Sequence, residues 1–436
     1  MAGEDHDIDG SFSTARVTAR DEAVTLTQGT YRDFLYDLDD DKLAPWRGLG
    51  YEEFSRRKRE PGFVQELLGD WQALYEEPFV GITAGGKVNE AAWPLGPVAP
   101  NPAAPVAAAR ALLAQLDDAE RAEVSHPLDA PQWRAWSNPE FVIHRVGLRL
   151  EELPEDAVRA ALALMEASLS PQGYARAVEA MGLNGYLGEL TGLPALMNDR
   201  SYWIALYGTP SADEPWGWQL FGHHLALNVV FVGGRQVIAP VFIGAEPALS
   251  DTRAPLFAAR EELAISLASS LTPDQAEQAV VYASVLDPAM PEGRLHPADE
   301  RHVAGAFRDN RIVPYEGIRA DALTTEQRAL LRGIVEDFLL LLPEDQRLRA
   351  LADVERHLTE THLAWYGATD GSQPFYLRIH GPTLLAELDH HAGVWLSNRV
   401  PQRFHVHTTL RLPNGNDYGK AFLRQLPALP DAPHGI

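Results

Sequence analysis

The segment "RFHVHTTLRL", from Arg403 to Leu412, sets two histidines one residue apart in a run of β-formers. In a strand, side chains alternate between faces and repeat about every 7 Å, so imidazoles at i and i+2 lean toward one ion. His405 and His407 meet that condition, and their face continues through Thr409 and Arg411. The other parity, Phe404, Val406, Thr408 and Leu410, is mostly apolar. The stretch upstream is built alike. Leu384, Ala386 and Leu388 alternate with Leu385, Glu387, Asp389 and His391, and Tyr376, Arg378 and His380 extend a polar row before Gly381-Pro382 interrupts it. If these segments are neighbours in one sheet, Arg378, His380, Glu387, Asp389, His405, His407 and Arg411 converge on one face. The plainer alternative is the wet face of a half-buried antiparallel sheet. Against it stand five histidines between 380 and 407, where a wet face shows Lys, Ser, Thr and Glu.

"GHHLALN", 222 to 228, offers a third contribution. In an extended strand His223 and His224 face opposite ways, so one of them serves a given site. The His223 parity (Phe221, Leu225, Leu227, Val229) reads as core. The His224 parity (Gly222, Ala226, Asn228) is small or polar and favours His224 as the cavity-facing member. His357 and His362, five apart on an expected helix, do not share a face and form no HExxH motif.

These residues suit a mononuclear centre held by His405, His407, one of His223 and His224, and Glu387 or Asp389. Such a set binds Fe, Cu, Mn or Zn and leaves positions open for substrate, water or O₂. The all-nitrogen-and-oxygen set favours redox chemistry on a small molecule, with Glu387, Asp389, Arg378 and Arg411 as catalytic candidates and one of the arginines orienting an anionic group. The alternatives are a zinc-dependent hydrolase or lyase, in which a spare carboxylate is the general base, and a non-catalytic protein that binds a small molecule.

Composition narrows the field. The net charge of −24, from 37 Lys and Arg against 61 Asp and Glu, disfavours nucleic acid and anionic lipid as partners. With no cysteine, disulfides, thiolate sites and iron–sulfur clusters are excluded. The acidic start "MAGEDHDIDGSFS" has none of the stages of a signal peptide and no apolar run is long enough to span a bilayer, so a cytoplasmic protein is expected. GxGxxG, Walker and GxSxG patterns do not occur.

The elements that must position the site follow from periodicity. Residues 1–60 read as an acidic arm with short helices, 61–426 as one α+β domain, and 427–436 as a tail. "GKVNEAAWPLGPVAPNPAAP" (86–105) is a loop, and three helical patterns follow from Val106, after Pro154 and from Pro171. Gly233-Gly234 predicts a hairpin between two long strands. Thr272 to Gln275 and Thr324 to Gln327 are capping-box patterns, the second opening helices expected at about 325–342 and 344–364. The fold expected is α+β: a central antiparallel sheet built from two distant β blocks, about 202–245 and 374–412, flanked by helices.

Taken together, "WGWQLFGHHLALN", "PVFIGAEP", "FYLRIHGPTLLAELDHH" and "HVHTTLRLPNGNDYGKAFLRQ" resemble the bacterial family catalogued as domain of unknown function 3500. The likeness runs from roughly Phe79 to Gln425. It implies a Gly-His-His-Leu block at Gly222 to Leu225, an acidic pair at Glu387 and Asp389, and the His-x-His strand at His405 to His407. The chain closes its last block as "LRQL", where the family often has a histidine after the glutamine, which argues against a ligand at the C-terminus.

Overall fold

The computed structural model describes residues 26 and 29–426. Residues 1–25, 27 and 28 of the stretch read as an arm, and the tail 427–436, lie outside the described residues. The strands are Ser125–His126 (β1), Leu148–Arg149 (β2), Tyr202–Tyr207 (β3), Trp216–Gly222 (β4), Leu225–Val232 (β5), Arg235–Ala245 (β6), Val280–Tyr282 (β7), Ile318–Arg319 (β8), His362–Tyr366 (β9), Tyr376–Gly381 (β10), Leu384–His390 (β11) and Val406–Arg411 (β12). They form one sheet in the order β1-β3-β4-β5-β6-β12-β11-β10-β9-β7, with β2 beside β3 and β8 beside β9. Only the outer pairings β1–β3 and β7–β9 are parallel. The expected α+β architecture is present, and the two distant β blocks join where β6 pairs with β12.

Periodicity explains what each face buries. The parity holding Val406, Leu410, Leu384, Ala386, Leu388, Leu377 and Ile379 packs in one core with residues of the helices Ala103–Gln115, Glu155–Ser168, Pro171–Thr191, Ala258–Ser269 and Thr325–Phe338. The other face is covered by irregular chain together with helical residues such as Val64, Leu67 and Trp71 of Gly62–Glu76. Trp133, Trp136 and Phe307 lie in one core with Phe242, Ala226 and Trp203, and Trp46 and Phe54 from the short helices of 29–60 join it. Ile82, Val303, Ala304 and Val313 close over Leu385. Among the described residues no helix is long and apolar enough to cross a membrane.

The Gly233-Gly234 hairpin and both capping boxes form as expected, with Gly233 and Gly234 at φ 57° and 77°. Two expectations are corrected. The run through "GHH" is not one strand: Gly222 pairs with Leu225, so His223 and His224 are the two residues of a β4–β5 hairpin turn. Such turns usually announce themselves through Gly, Asn or Asp, whereas here His224 takes the positive φ of 62°. The helix expected over 344–364 ends at Glu355, and His362 opens β9. The Thr361 hydroxyl donates to the His357 carbonyl at 3.0 Å, a side-chain bond that competes with further helix.

Three helices are pinned by one partly buried carboxylate. Asp337 of Thr325–Phe338 accepts from Arg260 Nε of Ala258–Ser269 at 2.7 Å and from Arg176 Nη2 of Pro171–Thr191 at 2.9 Å. Burial raises the carboxyl's pKa, but the two guanidinium charges outweigh it and hold the group at about 2, below its usual 3.8. A depressed carboxyl stabilises the fold above its unfolded pKa, and that contribution is lost as pH falls through the folded value, here between about pH 4 and pH 2. The shift corresponds to roughly 2 kcal/mol. Asp337→Asn also strands the buried Arg260, so urea unfolding at pH 7 is expected to show a loss of about 3 kcal/mol. The gap should narrow in acid; curves that stay parallel down to pH 2.5 would contradict this account.

Candidate metal centre

The register of the sheet assembles the site. His407 on β12 stands opposite Gly244 on β6 and Asp389 on β11, and Asp389 opposite Tyr376 on β10. The next row is Phe242, Thr409, Glu387 and Arg378. This row is interior: His405, Glu387, Asp389 and Arg411 have no exposed surface, and His407 is 4% exposed. The wet-face alternative is thereby overturned, because the segments from 285–317 and 79–93 lie where solvent would be.

One ring nitrogen from each of His224, His405 and His407 lies within 4.8 Å of the others. The Nε2 atoms of His405 and His407 are 3.1 Å apart, close to the roughly 3 Å that separates two nitrogens bound to one ion at about 2.0–2.1 Å. His405 Nδ1 donates to the Ala392 carbonyl at 2.8 Å, which makes Nε2 the lone-pair nitrogen facing His407 and fixes the ring. His224 is placed by its turn, whose backbone N–H donates to Asn138 Oδ1 at 3.1 Å. Gly244 makes room for both partner rings, since a Cβ there would stand 2.7 Å from His407 Cδ2 and 3.1 Å from His224 Cδ2. His223 stacks on His224 at 3.8 Å and has its Nδ1 2.8 Å from Asn184 Oδ1. Of the pair, His224 joins the strand histidines and His223 backs it.

Beside these three lies a second group, His302, Asp389 and His391, whose ligand atoms also fall within 4.8 Å of one another. The His391 ring sits 3.9 Å from that of His407. His391 shares the polar parity of β11, but His302 lies in irregular chain where periodicity carries no signal, and sequence reasoning missed it. Glu300 and Glu246 were missed for the same reason. Each fastens a covering loop: Glu300 accepts from Ala392 N at 2.9 Å, and Glu246 accepts from the N–H groups of Val394, Trp395 and Leu396.

The remaining candidates are accounted for individually. Glu387 accepts from Tyr376 O–H (2.6 Å), Val303 N (2.8 Å) and Ala304 N (3.0 Å), so it clamps the His302 loop and belongs to neither imidazole group. Asp389 accepts from Arg301 Nε at 2.6 Å and from Arg301 N at 3.2 Å. Arg378 is ion-paired with Glu316 at 2.5 Å. Arg411 is held by Asp417, Asp309 and the carbonyls of Ala304 and Gly305. His380 packs against the ring of Tyr315. The structure thus commits both arginines to carboxylates outside the imidazole groups.

Burial governs the charges. It pushes His224 and His407 well below 6.5, and mutual repulsion among the imidazoles adds to it. His223 is lowered to about 3, and His391 is lowered too, chiefly by burial. The rings are therefore neutral, the form that binds metal. His302 is the exception: burial lowers it, but the Glu387 carboxylate 3.5 Å away raises it above 6.5. Burial raises Glu387, but His302, the Tyr376 hydroxyl and the Val303 N–H outweigh it and hold the carboxyl at about 2. A recess of about 40 Å³ lined by Trp71, Asn138, His223, His224, Asp299 and His407 leads to the group. It is large enough for a water or a small substituent.

Searches among curated proteins and among solved structures return no match. The model of the family described as "Protein of unknown function (DUF3500)" matches residues 101–420, a span holding every imidazole of both groups. On that match over most of its length, the chain belongs to this family.

Proposed function

We propose that the protein is a metal-dependent enzyme that carries out oxidation–reduction chemistry on a small molecule, with His224, His405 and His407 as the metal ligands. The observation that carries the reading is the convergence of three buried imidazoles, two of them with Nε2 atoms 3.1 Å apart. Neutral imidazole suits Fe, Cu and Zn, and a redox-active ion held there would supply electron transfer or activation of O₂. The chain's own part is to orient the rings, exclude water and admit substrate through the recess beside Asn138 and Trp71. The Ala392 carbonyl on His405 Nδ1 and the stacked His223 hold two of the three ligands in place.

The surrounding carboxylates favour redox over hydrolysis. Glu246, Glu300, Glu387 and Asp389 each accept from backbone N–H groups or Arg301. Glu387, held at about 2, is a poor proton acceptor near neutrality. One feature supports a zinc hydrolase as the second reading: Asp299 lines the recess beside His407 and is placed to act as a base there.

Metal analysis of the untagged protein separates these readings. Iron or copper whose spectrum changes on adding ascorbate is the expected result, and colourless zinc favours the hydrolase. His405→Ala and His407→Ala should lose the ion of this centre while keeping the wild-type circular dichroism; folded variants with undiminished metal would refute the ligand assignment. Gly244→Ala pushes a methyl into both rings and is expected to weaken metal binding by about 10-fold or more, the scale of a disturbed supporting shell. Unchanged affinity would show that the two rings do not act together.

A further inference from the structure

We infer that the site holds two metal ions, the second bound by His302, Asp389 and His391. The inference rests on the reading of the first centre as metal-binding but uses a separate set of side chains. His302 Nε2 and both ring nitrogens of His391 are buried and make no hydrogen bond among the described residues. His391 Nε2 does lie 3.1 Å from Asp389 Oδ2, but without hydrogen-bond geometry. A buried polar nitrogen without a partner is unfavourable, and two such rings, each offering one nitrogen beside the Asp389 carboxylate, call for a common partner.

That partner has to be a cation that accepts lone pairs. Each residue offers one atom, and the three atoms lie within 4.8 Å of one another. The groups are also fixed in advance, as metal ligands usually are by the residues behind them. Thr409 Oγ1 stands 2.8 Å from His302 Nδ1 and leaves Nε2 as the unengaged nitrogen. Arg301 Nε occupies Asp389 Oδ1, and Oδ2, which also accepts from Arg301 N at 3.2 Å, is the oxygen turned toward His391. The competing arrangement, His302 as an imidazolium against Glu387, uses Nδ1, leaves His302 Nε2 without a hydrogen bond, and leaves His391 only its contacts with Asp389 Oδ2 at 3.1 Å and Glu300 Oε1 at 3.6 Å, neither in hydrogen-bond geometry.

The two sets are contiguous. His391 lies 3.9 Å from His407 and 5.5 Å from His405, ring centre to ring centre, and Asp389 stands directly opposite His407 across the β11–β12 ladder. Two ions so placed act on one bound molecule, the arrangement that lets paired metals share electrons or clamp a substrate between them. The ligand class is therefore a first-row divalent ion with a preference for nitrogen.

Metal-free full-length protein titrated with Cu(II) and followed by electron paramagnetic resonance tests this. The wild type should take up two equivalents, with the second broadening or diminishing the signal of the first. His391→Ala and His302→Gln should each take up one equivalent with an undiminished signal, while His407→Ala removes the first site. Should one variant fail to fold, the other gives the same readout. A wild type that binds one equivalent, unchanged by substitution at 391 or 302, overturns the second site and leaves the first standing. A wild type that binds none overturns both.

Discussion

Ionisable side chains placed on an interior face of a sheet must be met by partners, because the desolvation of each unmet group costs more than most packing contacts return. That constraint organises this molecule. Four buried carboxylates hold down pieces of the cover: Glu387 takes Val303 and Ala304, Asp389 takes Arg301, Glu300 takes Ala392, and Glu246 takes residues 394 to 396. The loops so fastened bring in His302 and seat His391 and His405. The carboxylates act as fasteners, and the imidazoles they surround are left facing one another.

Room for those imidazoles comes from backbone choices. Gly244 is a strand residue without a side chain on the one square of the face where His224 and His407 lie. The β4–β5 turn uses His224 at φ 62°, a conformation a histidine adopts at some cost, and in return presents the ring to β12 from the end of a neighbouring hairpin. A more relaxed turn residue would remove the third imidazole. Strain at that position and the missing Cβ at 244 describe the same design from two sides.

Much of this was legible in the letters. The period-2 alternation around Leu388 and around Val406 assigned one parity of each strand to an apolar side and the other to the polar row, and the register and the core bear this out. The Gly-Gly hairpin and the two Thr-x-x-Gln caps are local signals, set within a few residues, and they form as read. Signals failed where a local pattern was outvoted. The two histidines of "GHH" look like strand because no turn residue marks them, and the helix before His357 stops where a threonine hydroxyl takes up the carbonyl.

By itself the sequence determined the α+β class, the faces of β11 and β12, the exclusion of thiolate chemistry and the candidacy of His224, His405 and His407, because alternation and composition act through neighbours along the chain. Only the tertiary structure decided that the polar face is interior, that Glu387, Arg378 and Arg411 are committed to networks of their own, and that His302 joins the site. Those facts depend on which loops cover the sheet and on hydrogen bonds between residues more than 80 positions apart, as from Val303 to Glu387. No periodicity encodes such a contact; packing does.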